Sequence, residues 1–366
     1  MKKEIPWWTV DISSIDESIF TRVLKSNFPN EGEITLELSE LMKDFLQVKH
    51  AFFTTSGTTA LFLALKSIGI GPGSRVAVPN LTFIATANAV SLTGAKVVLI
   101  DIRSDSFTIS IEELERLHAA KPFDAVIPVH VSGRSAFRDD LIEWAETNKV
   151  PLIEDAAEAF GSKDPESNSY LGTLGAAGAF SFSPNKLITS GQGGLVVTND
   201  DECAKKIVKL KDQGRPKRGT GGDDIHESVG YNFKFTDIQA CLLIAQFPLI
   251  QKRLDHLSFL YRMYSAELPN NENYTLGYFN VNKGEIPLWP EILSSRRNAI
   301  EQKFLDDLIG FRRVWHPLST QLPYANSKPY PNSFNVSREA MWLPSSFTLS
   351  TEDIKKVTRS IREIFN

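Results

Sequence analysis

The sequence predicts an α/β protein: a large unit on a mostly parallel sheet with helices on both faces, then a smaller α+β unit. Three observations carry this. Short apolar runs alternate with helix-patterned runs through the first two thirds of the chain, the rhythm of strand–helix crossovers. The 366 residues are long for one core and suit two. An apolar run at 240–250 leads out of the large unit, so 1–245 are assigned to it and 246–366 to the smaller one.

The elements follow in order. An apolar stretch, Phe52-Phe53, passes through a small hydroxyl-rich turn into a helix patterned Leu61, Leu65 and Ile68 that ends near Gly69. Residues 75–78, 96–101, 125–129 and 150–155 read as strands, and 85–91, 111–118 and 141–148 as the helices among them. Residues 201–213 are helical, with Ala204, Ile207, Val208 and Lys211 at helical spacing, and 351–365 form an amphipathic helix. The Pro- and Asn-rich stretch 322–335 reads as an ordered loop. No internal repeat or low-complexity segment interrupts the chain.

Composition narrows the function classes. The chain is 42% hydrophobic and 23% charged, as soluble globular proteins are. A net charge of −4 leaves no electrostatic footprint for nucleic acid. The basic run Arg215-Pro216-Lys217-Arg218 lies in a Gly-rich loop, where solvation accounts for it. No run approaches transmembrane length, and Met1 to Trp8 lacks the apolar stretch of a signal peptide, so no membrane role is expected. Cys203 and Cys241 give no disulfide framework, and a reducing cytoplasm is the expected compartment. The histidines and cysteines show no His-x-x-x-His or Cys-x-x-Cys spacing, so no metal site is expected. No Gly-x-Gly-x-x-Gly follows the first strand, which disfavours a nicotinamide enzyme.

The chemistry-bearing signal centres on Lys186. It closes Gly178-Ala179-Phe180-Ser181-Phe182-Ser183-Pro184-Asn185-Lys186, and Gly191-Gln192-Gly193-Gly194 follows. A lysine held between a short apolar strand and a glycine-rich loop can reach a carbonyl carbon, as a Schiff-base lysine must. Upstream, Ile153-Glu154-Asp155 ends a buried strand, and a carboxylate at that end of an open α/β sheet points into the ligand crevice. Pyridoxal phosphate needs such a carboxylate to keep its ring nitrogen protonated. Ser56-Gly57-Thr58 opens a helix whose free amides, with the Ser56 and Thr58 hydroxyls, suit a phosphate dianion. The competing reading for this turn is ordinary N-capping. Ser183-Pro184-Asn185-Lys186 also fits the S-x-x-K string of penicillin-recognising hydrolases, but their Ser-Asp-Asn and Lys-Thr-Gly strings are absent.

Together these segments resemble the DegT/DnrJ/EryC1/StrS group of fold-type I, pyridoxal-phosphate-dependent nucleotide-sugar aminotransferases, and most nearly the perosamine synthases among them. The resemblance is carried also by Val78-Pro79-Asn80-Leu81-Thr82-Phe83-Ile84-Ala85-Thr86-Ala87-Asn88-Ala89, by Ala156-Ala157-Glu158-Ala159 and by Gly230-Tyr231-Asn232-Phe233-Lys234. It extends more loosely through Trp315-His316-Pro317 and Leu343-Pro344-Ser345. It implies a seven-stranded, mostly parallel sheet in the large unit. It implies that Lys186 bonds the cofactor and then shuttles protons, and that Asp155 partners the ring nitrogen. Ser181, Gly57 and Thr58 match phosphate-binding positions, with Ser56 beside them. Phe83 matches the ring that stacks on the pyridine, with core packing as its competing role. Glu158 matches a residue near the phenolic oxygen. Asn232 matches an asparagine that reaches the phosphate of the neighbouring subunit, which implies a homodimer with shared sites.

Departures from the group's pattern concentrate where the sugar is expected. Gln192 replaces the usual Glu of a Gly-Glu-Gly-Gly loop, and Val131-Ser132-Gly133-Arg134 replaces a common Leu-Tyr-Gly-Gln. Ser319 stands where a His is common. Gln192, Arg312 and His316 are the expected substrate contacts. The implied reaction carries an amino group from L-glutamate, which leaves as 2-oxoglutarate, to a nucleotide-linked keto sugar, a GDP- or dTDP-linked 4-keto-6-deoxyhexose. The alternative is a sugar dehydratase or a cofactor-binding regulatory relative. Dehydratases of the group generally replace the lysine, and Lys186 is present.

Overall fold

The computed structural model describes residues 4–13, 15–103, 105–137, 141–217, 219 and 222–365. Met1 to Lys3 of the N-terminal segment and Arg218 of the basic run lie outside these.

Seven strands form the large sheet: β1 (His50–Thr54), β2 (Arg75–Pro79), β3 (Lys96–Ile100), β4 (Ala125–Val126), β5 (Ile153–Asp155), β6 (Ala177–Ser181) and β7 (Gly194–Thr198). Hydrogen bonding joins β1-β7-β6-β5 and β3-β2-β4. Parallel bridges Val126↔Leu152 and Val129↔Asp155 close the gap between β4 and β5. The spatial order is therefore β1-β7-β6-β5-β4-β2-β3. Only β7 runs against the rest, antiparallel to both β1 and β6.

Both faces of this sheet are covered, and the alternation of side chains along the strands shows it. In β2, Val76 and Val78 enter the main core, while Ala77 enters a second core with Leu114, Phe123, Leu141 and Trp144. The expected strands at 125–129 and 150–155 are shorter than predicted. Pro128 and Pro151 lack the N–H a ladder needs, so pairing near them falls to isolated bridges.

A second sheet has the order β10-β11-β9-β8, all antiparallel: β8 (Thr275–Leu276), β9 (Glu291–Leu293), β10 (Arg312–Arg313) and β11 (Ala340–Trp342). The helix Thr351–Phe365 buries Ile354, Val357 and Ile361 in this unit's core, together with Leu260, Tyr264, Ile300 and Phe304. Each buried aliphatic side chain contributes about 1.5–3 kcal/mol. Ile5, from the segment grouped by sequence with the large unit, belongs to this second core and pairs with Ile309. Conversely, Leu288, Trp289 and Trp342 belong to the main core.

The stretch 322–335 is not loop throughout. It holds a 3-10 turn, Leu322–Tyr324, and the helix Pro331–Glu339 begins inside it. Pro331 is the first helical residue, where its missing N–H costs nothing. Among the described residues no helix is long and apolar enough to cross a membrane.

Candidate active site

The ends of β1, β5 and β6 and the start of β7 converge on one cavity of about 400 Å³. Ser56, Gly57, Thr58, Phe83, Asp155, Glu158, Ser181, Lys186, Gln192 and Arg312 line it. Asn232 and His316 do not. Asn232 is exposed in a short pairing with Asp212, beyond the helix Asp201–Lys211, and His316 is exposed on the segment after β10.

Glycine builds the anion end. The helix Gly57–Ser67 starts against the end of β6: a Cβ on Gly57 would lie 2.9 Å from Ser181 Cβ. A Cβ on Gly194 would overlap the Ser56 carbonyl. Only bare backbone at both positions lets the turn sit this close to the strands. The Ser56 hydroxyl accepts the Thr59 N–H at 3.2 Å, and the Ser56 carbonyl accepts the Ala60 N–H at 3.0 Å. The capping role weighed for this turn is thus what the Ser56 side chain does. The cap does not use the amides of Gly57 and Thr58, whose residues line the cavity.

Asp155 ends β5 with two neutral donors. Thr86 Oγ1 donates to Oδ2 at 2.7 Å and the Ala157 amide to Oδ1 at 3.2 Å. Burial raises its pKa above the ordinary carboxylate value, against the pull of these donors and of Lys186. Glu158 is likewise raised by burial, opposed first by Lys186; it accepts the Ser132 amide at 2.9 Å. Lys186 Nζ lies 3.6 Å from Glu158 Oε1. Burial lowers the lysine's pKa, while Glu158 and Asp155 oppose that shift.

Neighbouring Glu154 is committed elsewhere. It is fully buried and accepts amides from Gly172 and Leu174 at 2.6 Å, from Gly175 at 2.5 Å, and the His130 ring at 2.9 Å. His130 Nδ1 accepts the Ala136 amide at 3.0 Å, so Nε2 carries the proton given to Glu154.

One wall escaped sequence reasoning. Trp289, Trp315 and Trp342 line the cavity, and Trp7 packs behind Trp289 at 5.4 Å and Trp342 at 6.5 Å between ring centroids. Trp315 lies in a segment that carries the resemblance, but Trp7, Trp289 and Trp342 come from both ends of the chain, and no local pattern marked them. Thr86 was given no role, although it lies in a segment that carries the resemblance and in the first turn of the helix Ala85–Leu92. Phe83 is 57% exposed at the cavity, which a core-packing role would not leave.

The donor set fits pyridoxal phosphate. A buried carboxylate held by neutral donors suits a cationic ring nitrogen, uncapped helix amides suit a phosphate, and a buried lysine whose pKa is lowered suits an aldehyde carbon. The site defines a pyridoxal-phosphate-dependent aminotransferase. Residues 11–362 match the DegT/DnrJ/EryC1/StrS aminotransferase family, and the chain belongs to it. It is 34% identical over 344 residues to the GDP-perosamine synthase of Caulobacter vibrioides, covering 91% of this chain and 90% of that one. It is 29% identical to the GDP-perosamine synthase of Escherichia coli O157:H7, covering 100% and 99%. The S. venezuelae DesV structure, in complex with a ketimine intermediate, superposes with a TM-score of 0.91 at 26% identity, covering 99% of this chain and 98% of that one.

Proposed function

We propose that this chain moves the amino group of L-glutamate onto a nucleoside-diphosphate-linked keto sugar, a 4-keto-6-deoxyhexose, with Lys186 as the cofactor-bonding residue. The observation that carries the reading is the placement of Lys186, Asp155 and the Gly57-Thr58 turn around one cavity. The likeness to two GDP-perosamine synthases supports the sugar class.

When bound, pyridoxal phosphate supplies an electron sink for the carbon that bears the amine. Asp155 holds the proton on the ring nitrogen and so keeps that sink effective. Gly57, Thr58 and Ser181 would hold the phosphate, and Phe83 would pack against the ring. Lys186 Nζ would take and return the proton at the amine-bearing carbon. Exposed Arg312 and Gln192 make a polar mouth, suited to the diphosphate and sugar hydroxyls.

A homodimer with shared sites is part of this reading. Asn232 is exposed and lies outside its own chain's cavity, and Ile225 and Val229 on the preceding loop are 74% and 80% exposed. Apolar side chains so open fit a partner surface. The buried free thiols of Cys203 and Cys241 are consistent with a reducing cytoplasm.

The test is a panel of GDP-, dTDP- and UDP-linked keto sugars with glutamate, read by mass spectrometry for the amino sugar and by 2-oxoglutarate release. Failure of every keto sugar, with cofactor bound, would overturn the reading.

A further inference from the structure

Lys186 Nζ has a second neighbour besides Glu158. It sits over the indole of Trp289, 4.6 Å from the ring centroid, inside the roughly 6 Å reach of a cation–π contact. Trp289 is 2% exposed, so little water competes for the ammonium there. Its ring has nowhere to go: Trp7 lies at 5.4 Å, Trp342 at 5.3 Å and Trp8 edge-on at 6.4 Å.

Both sides of this arrangement hang from Ser132. Its amide holds Glu158 Oε2 at 2.9 Å, and its carbonyl accepts the amide of Leu288, the residue before Trp289, at 2.9 Å. Its hydroxyl accepts Trp342 Nε1 at 3.1 Å. Ser132 adopts φ 55° and ψ 19°, a left-handed conformation that lets three groups of one residue reach apart.

We propose that Trp289 is a positioning residue for Lys186: its indole face and the Glu158 carboxylate form a seat for the lysine amine in its ammonium form, once that amine is released from the cofactor. The proposal rests on the reading of Lys186 as the cofactor lysine. A released amine must carry a proton in a buried place and give it back. A ring face stabilises the charged form without being able to accept the proton, which a second carboxylate could do. Of the other charges facing the amine, Asp155 also favours the ammonium, while Arg312 opposes it. Arg313 lines the cavity too but is engaged by Glu301 in a two-pronged pair at 2.8 and 2.6 Å.

The test uses cofactor-free full-length protein and trace acetic anhydride. Acetylation of Lys186 is followed against pH by peptide mass spectrometry, in wild type, Trp289→Phe and Trp289→Leu. Lys211, buried and paired with Glu31, reports an intact fold in the same digest. The apparent lysine pKa is expected to fall in the order wild type, Phe, Leu. Below that pKa, Lys186 of the Leu variant should react about 3- to 30-fold faster than in wild type. A Leu variant that titrates at or above wild type overturns the proposal. Should the Leu variant fail to fold, the Phe variant decides alone, by falling below wild type or not. Borohydride trapping in loaded protein separately identifies the cofactor lysine, so an adduct elsewhere would defeat the functional reading while leaving the titration to judge the seat.

Discussion

Thr86 Oγ1 donates to Asp155 Oδ2 at 2.7 Å, so the carboxylate proposed to partner the ring nitrogen is aimed by a hydroxyl from a different strand–helix unit. The hydroxyl fixes direction without adding charge. Thr86→Val keeps the shape and removes the donor. We expect turnover to fall by roughly 10- to 150-fold, the cost of about one hydrogen bond to a charged group. Unchanged kcat and KM would show that the Ala157 amide suffices.

Asp155→Asn should separate activity from stability. Transamination is expected to fall about 100-fold or more, because the charge partner of the electron sink is lost. The cofactor-free variant should nevertheless melt higher than wild type at neutral pH. Burial raises the Asp155 pKa, so the folded state binds its proton more tightly than the unfolded chain does. The wild-type penalty is absent below about pH 4 and grows as pH rises through the raised folded value. The gain in melting temperature should follow that course, reaching about 1–2 °C per kcal/mol. A gain that shrinks with rising pH would contradict it.

Glu154 accepts four donors, and removing it strands them. Glu154→Ala should cost about 3–5 kcal/mol, read as a shift in the urea midpoint. A loss under about 1 kcal/mol would mean that water replaces the carboxylate. The same commitment makes Glu154 a poor substitute for Asp155 at the ring nitrogen.

Purified protein should be yellow. Borohydride should abolish the band near the visible edge and leave the adduct on Lys186, by peptide mapping. A band that survives in Lys186→Ala, with activity, would sink the assignment.

Asn232→Ala should weaken cofactor retention, and mixing it with Lys186→Ala protein should restore activity. One of the two sites in a mixed dimer then combines intact contributions. A fully active monomer in sedimentation would rule out sharing. Failure to complement despite demonstrated subunit exchange and intact folding would do the same.

What could be read from the sequence was local. Lys186, Asp155 and Gly57 each sit where a strand gives way to a turn, and apolar runs with small residues after them mark such places. The helix at 351–365 was legible because Ile354, Val357 and Ile361 repeat at helical spacing. The tryptophan wall was not, because Trp7, Trp289 and Trp342 meet only after both units fold. The helix Pro331–Glu339 did carry a signal, proline at a helix start, but the surrounding Pro and Asn outweighed it.

β7, the strand that runs against the others, has a consequence for how such a site can change. The pairing Ser181↔Gly194 closes a hairpin loop, reinforced by the Phe182 amide on the Gly193 carbonyl at 2.9 Å. Lys186 and Gln192 both ride on that loop. The two residues therefore share one loop that is pinned at its base and again along its span, where the Ser190 amide meets the Phe182 carbonyl at 3.1 Å and Gln239 Nε2 the Gln192 carbonyl at 2.7 Å. The side chain of Gln192 is exposed, so it can be exchanged while the bonds to its carbonyl hold the lysine's loop in place.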